Sequence, residues 1–192
     1  MLLAKQNIRT RKAGFTLVEV LVVVTIMGIL SAMGVVGLQR AVANARVKDA
    51  AVNTAAFVER VGNEAIRMSS EICLAQSGDQ KILAYKVDSK TECHGTRIDS
   101  LVIDAPNKFT TMAACGMPAD VPNMLTSTDV NKRFFKPKTG LSAVPVEGAI
   151  CIQYGSDQIF GAARKLKTSN SVRAQWKVGN DVTANGADWM DL

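Results

Sequence analysis

The chain has 192 residues, 47% hydrophobic and 21% charged, with a formal net charge of +6. That length accommodates one anchor segment and one domain of roughly 120 residues. The charge excludes less than its sign suggests. Lys5, Arg9, Arg11 and Lys12 stand before Gly14 without an acid; removing those four from the 23 basic residues leaves 19 against 17 acidic ones. The remainder is nearly balanced, so bulk charge gives no reason to expect a nucleic-acid partner.

An uncharged apolar run extends from Val20 to Leu38. Counted from Phe15 it is 24 residues, about 36 Å of helix and enough for a hydrocarbon core of roughly 30 Å. Basic residues preceding such a run stay on the cytoplasmic side. This predicts a single-pass inner-membrane protein whose long C-terminal portion is periplasmic. A secretory signal carries its small-residue cleavage site after the apolar region, whereas here Gly14 stands before it. Cutting after Gly14 would leave the apolar segment on the mature chain with Phe15 first. A plain, unprocessed signal anchor explains the basic flank and the apolar run, but not Glu19. An unpaired ionisable group costs about 2.5 kcal/mol or more at the bilayer centre, and less towards the interface. Glu19 therefore needs a partner, and the nearest candidate is an amine at the same depth.

Gly14-Phe15-Thr16-Leu17-Val18-Glu19, after a basic leader and before Val20-Leu21-Val22-Val23-Val24, resembles the processing site of the type IV pilin and pseudopilin superfamily. The resemblance implies that residues 1–14 are a leader. A prepilin peptidase would cut between Gly14 and Phe15 and N-methylate Phe15. Glu19 would pair with the N-terminal ammonium of a neighbouring subunit. Two desolvated opposite charges cost less together than apart, which gives that pairing a physical basis. The implied partners are the peptidase, other pilin or pseudopilin subunits, an inner-membrane assembly platform and the lipid bilayer. No cofactor and no enzymatic activity are implied; the role is that of a structural subunit of a type IV pilus or a type II secretion pseudopilus. Many members carry a helix-breaking proline near the place of Gly34 to Gly37, and this chain has none. Gly28, Gly34 and Gly37 instead permit close approach between membrane helices.

Beyond the assembly segment, 15–38, residues 39–70 read as an amphipathic helix. Val47, Ala51, Thr54, Val58, Val61, Ala65 and Met68 recur at spacings of four and three, a stripe suited to docking on a sheet. Arg60–Glu64 and Arg67–Glu71 stand at i,i+4 and are expected to pair on the solvated side, each worth a few tenths of a kcal/mol.

Residues 71–192 change in texture. Glu71 to Ala75, Ile82 to Val87, Ile98 to Ile103, Ala149 to Tyr154, Gln158 to Leu166 and Val172 to Val178 are short and rich in β-branched or aromatic residues. Turn signals such as Ser77-Gly78-Asp79 and Gly179-Asn180-Asp181 separate them. The expected fold class is α+β: a long N-terminal helix packed on a C-terminal antiparallel sheet. Pro106, Pro118, Pro122 and Pro137 suggest an irregular excursion up to Gly140. Cys73, Cys93, Cys115 and Cys151 are an even set in an oxidising compartment, with no Cys-x-x-Cys. They read as two disulfides. Three pairings exist, and sequence proximity favours Cys73–Cys93 with Cys115–Cys151. Closing a loop of twenty to forty residues stabilises by about 3 to 4 kcal/mol on the chain-entropy model. Glu64-Ala65-Ile66-Arg67, followed by Ile72-Cys73-Leu74, resembles the helix end and first strand of GspH/FimT-type minor pilins, which implies a minor subunit.

Catalytic and metal motifs are missing from the sequence. His94 sits in Glu92-Cys93-His94-Gly95 without an identifiable nucleophile and reads as a turn residue; no P-loop, Rossmann glycine pattern or EF-hand loop occurs. Asp99, Asp104, Asp120 and Asp129 are scattered singly, so no metal site is expected. Two basic stretches support an alternative, a DNA-binding minor pilin of natural transformation. Arg133 and Lys136 lie in Lys132-Arg133-Phe134-Phe135-Lys136-Pro137-Lys138, where cations alternate with aromatics that could stack bases. Arg164, Lys165, Lys167, Arg173 and Lys177 lie in an acid-free span. The plainer reading of both is a solvated loop and strand face.

Overall fold

Alanines at 43, 45, 50, 51, 55, 56 and 65 and the absence of proline favour a helix through this region. Helix α1 spans Leu17–Arg67 in the computed structural model, which describes residues 14–87, 93, 95–126, 134–137, 148–166, 171–179 and 188–192. Residues 1–13, His94, Asp129, Lys132, Arg133, Lys138 and Lys167 therefore lie outside the described residues. The chain forms two units, Met1–Ala41 and Val42–Leu192, and α1 contributes to both.

In the second unit the expected stripe is buried. Val47, Ala51, Thr54, Val58, Val61 and Ala65 are all within 1% of complete burial, while Met68, beyond the last turn, is exposed. Thr54, the polar member, donates its hydroxyl to the Ala50 carbonyl at 2.7 Å, which removes the cost of an unsatisfied buried donor. The helix ends in a Schellman arrangement: Ser70 N–H reaches Ala65 O at 3.2 Å and Ser69 N–H reaches Ile66 O at 3.1 Å. Ser69 takes the left-handed position (φ 49°) that glycine usually fills.

Nine strands follow. Strands β1 (Ile72–Gln76), β2 (Lys81–Val87), β3 (Gly95–Val102) and β5 (Phe134–Phe135) form one antiparallel sheet in the order β3-β2-β1-β5. Strands β4 (Asn107–Thr110), β6 (Gly148–Tyr154), β7 (Ile159–Lys165), β8 (Val172–Val178) and β9 (Met190–Asp191) form a second, in the order β4-β6-β7-β8-β9. The six strands expected from the sequence all form, but in two sheets rather than one. The division comes where β4 leaves β3 and pairs with β6, Phe109 opposite Ile152. Backbone bonds from Phe109 N–H to Asp79 O and from Ile103 N–H to Gln80 O hold the β1–β2 turn against that crossing.

One cluster joins α1 to both sheets: Val58, Val61 and Ala65 pack with Ile72, Leu74, Ile82, Phe135, Ile150 and Ile152. Polar contacts tie the same interface. Glu59 Oε1 accepts from Val172 N–H at 2.9 Å, and Arg60 pairs with Asp99 of β3 at 2.8 Å. The tightest approach is at Gly161 of β7. A Cβ there would lie 2.9 Å from Val47 Cγ1, 3.0 Å from the Val47 carbonyl oxygen and 3.1 Å from Ala51 Cβ.

The excursion after Pro106 is less irregular than its prolines suggested, since it contains β4 and β5. It also builds a second core on the far face of the five-stranded sheet, where Cys115, Met117 and Val121 pack with Ala149, Cys151, Phe160, Ala162 and Trp189. Alternate residues of β7 thus point into different cores: Phe160 and Ala162 outward, Gly161 and Ala163 towards α1. Disulfides join Cys115 to Cys151 and Cys73 to Cys93.

The ion pairs expected at i,i+4 are replaced. Arg60 turns to Asp99 instead of Glu64, and Arg67 binds Glu64, its Nε donating to Oε2 at 2.7 Å, instead of Glu71. Glu71 lies past the helix end, so no i,i+4 geometry is available to it.

Three outcomes follow from this packing. Gly161→Ala should destabilise the full chain by about 1–3 kcal/mol, because the helix backbone must move to admit the methyl group; urea unfolding in detergent measures it. Ser69→Gly should stabilise by about 0.5–1 kcal/mol by relieving the left-handed residue, seen as a raised Tm. The Arg67 hydrogen bond lowers the Glu64 pKa from its ordinary value. The pair's contribution is therefore complete above the unfolded carboxylate pKa of about 4.3 and is lost as pH falls through the lower folded value. Glu64→Gln should flatten that acid limb of the Tm profile, and an unchanged limb would assign the loss to other groups.

Candidate processing and assembly site

Gly14, Phe15 and Thr16 precede the first helical residue, Leu17, and all are exposed. Thr16 and Glu19 form a reciprocal cap: Glu19 N–H donates to Thr16 Oγ1 at 3.3 Å, and Thr16 N–H donates to Glu19 Oε2 at 3.5 Å. This is a capping box, in which a Thr at the helix cap and a Glu three residues on satisfy each other's orphan amides. The carboxylate also sits in the first turn, where the positive end of the helix dipole favours it. The motif as read from the sequence includes Thr16 without a role of its own; the Thr-x-x-Glu spacing is the signal that exposes its part as a cap. Of the two bonds only the longer engages the carboxylate, through Oε2 at 3.5 Å, so Glu19 keeps acceptor capacity for a further donor.

Above the cap, α1 is uncovered. Leu17, Val18, Val20 to Val24, Ile26, Met27, Ile29, Leu30, Met33, Val35 and Leu38 are exposed, Val22 least at 47%. A continuous apolar surface of this size does not stay in water. It is the one helix among the described residues long and apolar enough to cross a membrane, with a mean hydropathy of 2.5 in its best window. That is compatible with single-pass anchoring. Thr25 turns its hydroxyl onto the Val22 carbonyl at 2.8 Å, so this polar group is satisfied within the helix, as an apolar solvent demands. The helix runs without interruption through Gly28, Gly34 and Gly37, and a Cβ at any of the three would meet open space.

The basic residues considered for DNA do not form one exposed face among the described residues. Arg164 and Lys165, neighbours on β7, are buried on opposite sides of the sheet, and Lys177 of β8 is 2% exposed with its ammonium 5.4 Å from the Trp189 ring centre. Burial pushes the Lys165 ammonium pKa down. Arg173 is half-exposed but paired with Asp191 at 3.1 Å. Lys136 is exposed beside β5, while Arg133 and Lys167 lie outside the described residues. The strand face expected to be solvated is covered because the second core and Trp189 occupy it. Among the described residues no group of acids, cysteines or histidines could hold a metal ion.

Neither the curated proteins nor the solved structures provide a match to this chain. A family description does: the prokaryotic N-terminal methylation motif matches residues 9–35. Those residues contain the exposed Gly14–Phe15 bond, the Thr16–Glu19 cap and most of the apolar helix. The chain thus carries the N-terminal signature of type IV pilins and pseudopilins, joined to a pilin-like α+β body.

Proposed function

We propose that this protein is a non-enzymatic structural subunit of an envelope filament, either a type IV pilus or a type II secretion pseudopilus. Prepilin peptidase cuts after Gly14 and methylates the new amine of Phe15. The mature chain waits in the inner membrane with its body periplasmic. An assembly platform then draws it into a bundle of N-terminal helices, where Glu19 of one subunit meets the Phe15 ammonium of another. The observation that carries this reading is a single carboxylate in the first turn of the exposed apolar part of α1, four residues from the peptide bond that would release an amine. In a low-dielectric setting the pair attract strongly while either alone is costly. The likeness of Glu64-Ala65-Ile66-Arg67 and Ile72-Cys73-Leu74 to the GspH/FimT type supports a minor rather than a major subunit.

Intact-mass spectrometry of the chain from cells with active peptidase should give a polypeptide beginning at Phe15 and carrying one methyl group. A product that starts at Met1 under those conditions would make this an ordinary tethered domain and end the filament reading. Glu19→Ala should still be cleaved but should enter filaments poorly. Normal entry would remove Glu19 from assembly.

A further inference from the structure

The chain between β4 and Pro122 is fastened to the five-stranded sheet by backbone bonds at its two ends. At one end β4 pairs with β6. At the other, Ala149 N–H donates to Pro122 O and Met124 N–H donates to Ala149 O, both at 3.0 Å. Among the described residues, the backbone bonds of residues 111–121 stay inside the segment: Cys115 N–H to Thr111 O, Gly116 N–H to Ala113 O, Met117 N–H to Met112 O and Val121 N–H to Pro118 O. Between its ends this strap is held by side chains alone. Met117 and Val121 share a core with Phe160, Ala162 and Trp189, and Cys115 is bridged to Cys151 of β6.

The covered face is incompletely satisfied. Trp189 Nε1 and Gln175 Oε1 are buried without a hydrogen-bond partner among the described residues, and Gln175 stands opposite Ala162, on the strap's side of the sheet. Unpaired buried polar atoms disfavour closure, because water would reach them once the strap lifts. A segment bonded only to itself, over such a face, belongs to the low-stability end of a fold.

The bridge also adjoins solvent. A groove of about 610 Å³ runs past Thr110, Thr111, Met112 and Ala113. Half-buried Met112 lies against the bridge, its carbonyl oxygen 3.3 Å from Cys115 Sγ and its Sδ 3.8 Å from Cys151 Sγ. Cys73–Cys93 holds no comparable segment. On either side of Cys73, β1 is already paired with β2, Ile72 with Lys86 and Leu74 with Ala84.

We propose that Cys115–Cys151 is a redox latch on this strap. Oxidised, it keeps Phe160, Ala162 and Trp189 covered; reduced, it lets the strap lift while α1 and both sheets keep their packing. The co-reactant is a dithiol. One of its thiolates attacks a sulfur of the bridge and forms a mixed disulfide, and the other cysteine leaves as a thiolate that takes a proton. The second thiolate of the reductant then displaces the first cysteine, which is protonated in turn, and the reductant ends as a disulfide. A disulfide-bearing oxidant runs the same steps in reverse and closes the latch. None of this depends on the filament reading.

The test uses the full folded chain in detergent, treated with dithiothreitol, with alkylation and mass spectrometry reporting which bridge is cut. Once Cys115 and Cys151 are free thiols, peptides spanning residues 111–121 should exchange amide hydrogen for deuterium on the order of a hundredfold faster. Peptides from Val47 to Ala65 of α1 should keep their rates. In a Cys73→Ser/Cys93→Ser chain that retains the other bridge, the strap should exchange as slowly as in the wild type, and a rise there equal to that in the reduced chain overturns the assignment to Cys115–Cys151. The latch is also overturned if the strap stays protected after its bridge is cut. A parallel rise in α1, or a bridge that resists dithiothreitol until the whole chain unfolds, makes Cys115–Cys151 a staple of the entire body and overturns the latch too.

Discussion

The structure depends on one helix face being withdrawn from water between two sheets. Val47, Ala51, Val58, Val61 and Ala65 are buried completely or nearly so, and burying a valine-sized side chain contributes about 1.5–3 kcal/mol. The sheets can close on that face because the residues nearest them are small. Gly161 lets β7 come within contact distance of the Val47 carbonyl, and Ala51 and Ala163 keep the same gap narrow. Glu59 and Arg60, at the margin of the stripe, then turn from solvent to the sheets, one accepting from Val172 N–H and the other pairing with Asp99.

The same helix bears a different constraint at its other end. From Leu17 to Val35 there is no dry face and wet face; the large apolar residues are exposed all round. Such a surface needs lipid or other helices of its kind, and in either setting a carboxylate must be neutralised. Glu19 is only loosely committed to Thr16. Its remaining acceptor capacity is what the proposed function uses, as the place where an amine released at Phe15 of another subunit would bind.

The central strands β6 and β7 of the five-stranded sheet are buried on both faces along most of their length, which changes the meaning of the basic residues there. Arg164 and Lys165 end β7, which is covered by α1 on one side and by the Cys115–Val121 segment with Trp189 on the other, and Lys177 of β8 is buried beside Trp189. A cation in that position is desolvated and held by its own fold rather than offered to phosphates. The runs Ala149-Ile150-Cys151-Ile152 and Phe160-Gly161-Ala162-Ala163 contained the warning. Strands covered on both faces lack the alternation of apolar and polar residues that a half-solvated strand shows.

Much of this was legible in the amino-acid order because it depends on local pattern. The helical stripe, the apolar segment, the Gly14-to-Glu19 motif and six strands follow from residue type and spacing, and periodicity survives in any tertiary setting. What lay beyond reach was whatever depends on which distant residues meet. The division into two sheets hangs on β4 choosing β6 over β3, a pairing of Asn107–Thr110 with Cys151–Tyr154. Arg60 found Asp99 in place of its helical neighbour Glu64 for the same reason. Local spacing determines which groups are able to interact, but only the folded chain decides which of the competing partners is nearer and which faces remain in water.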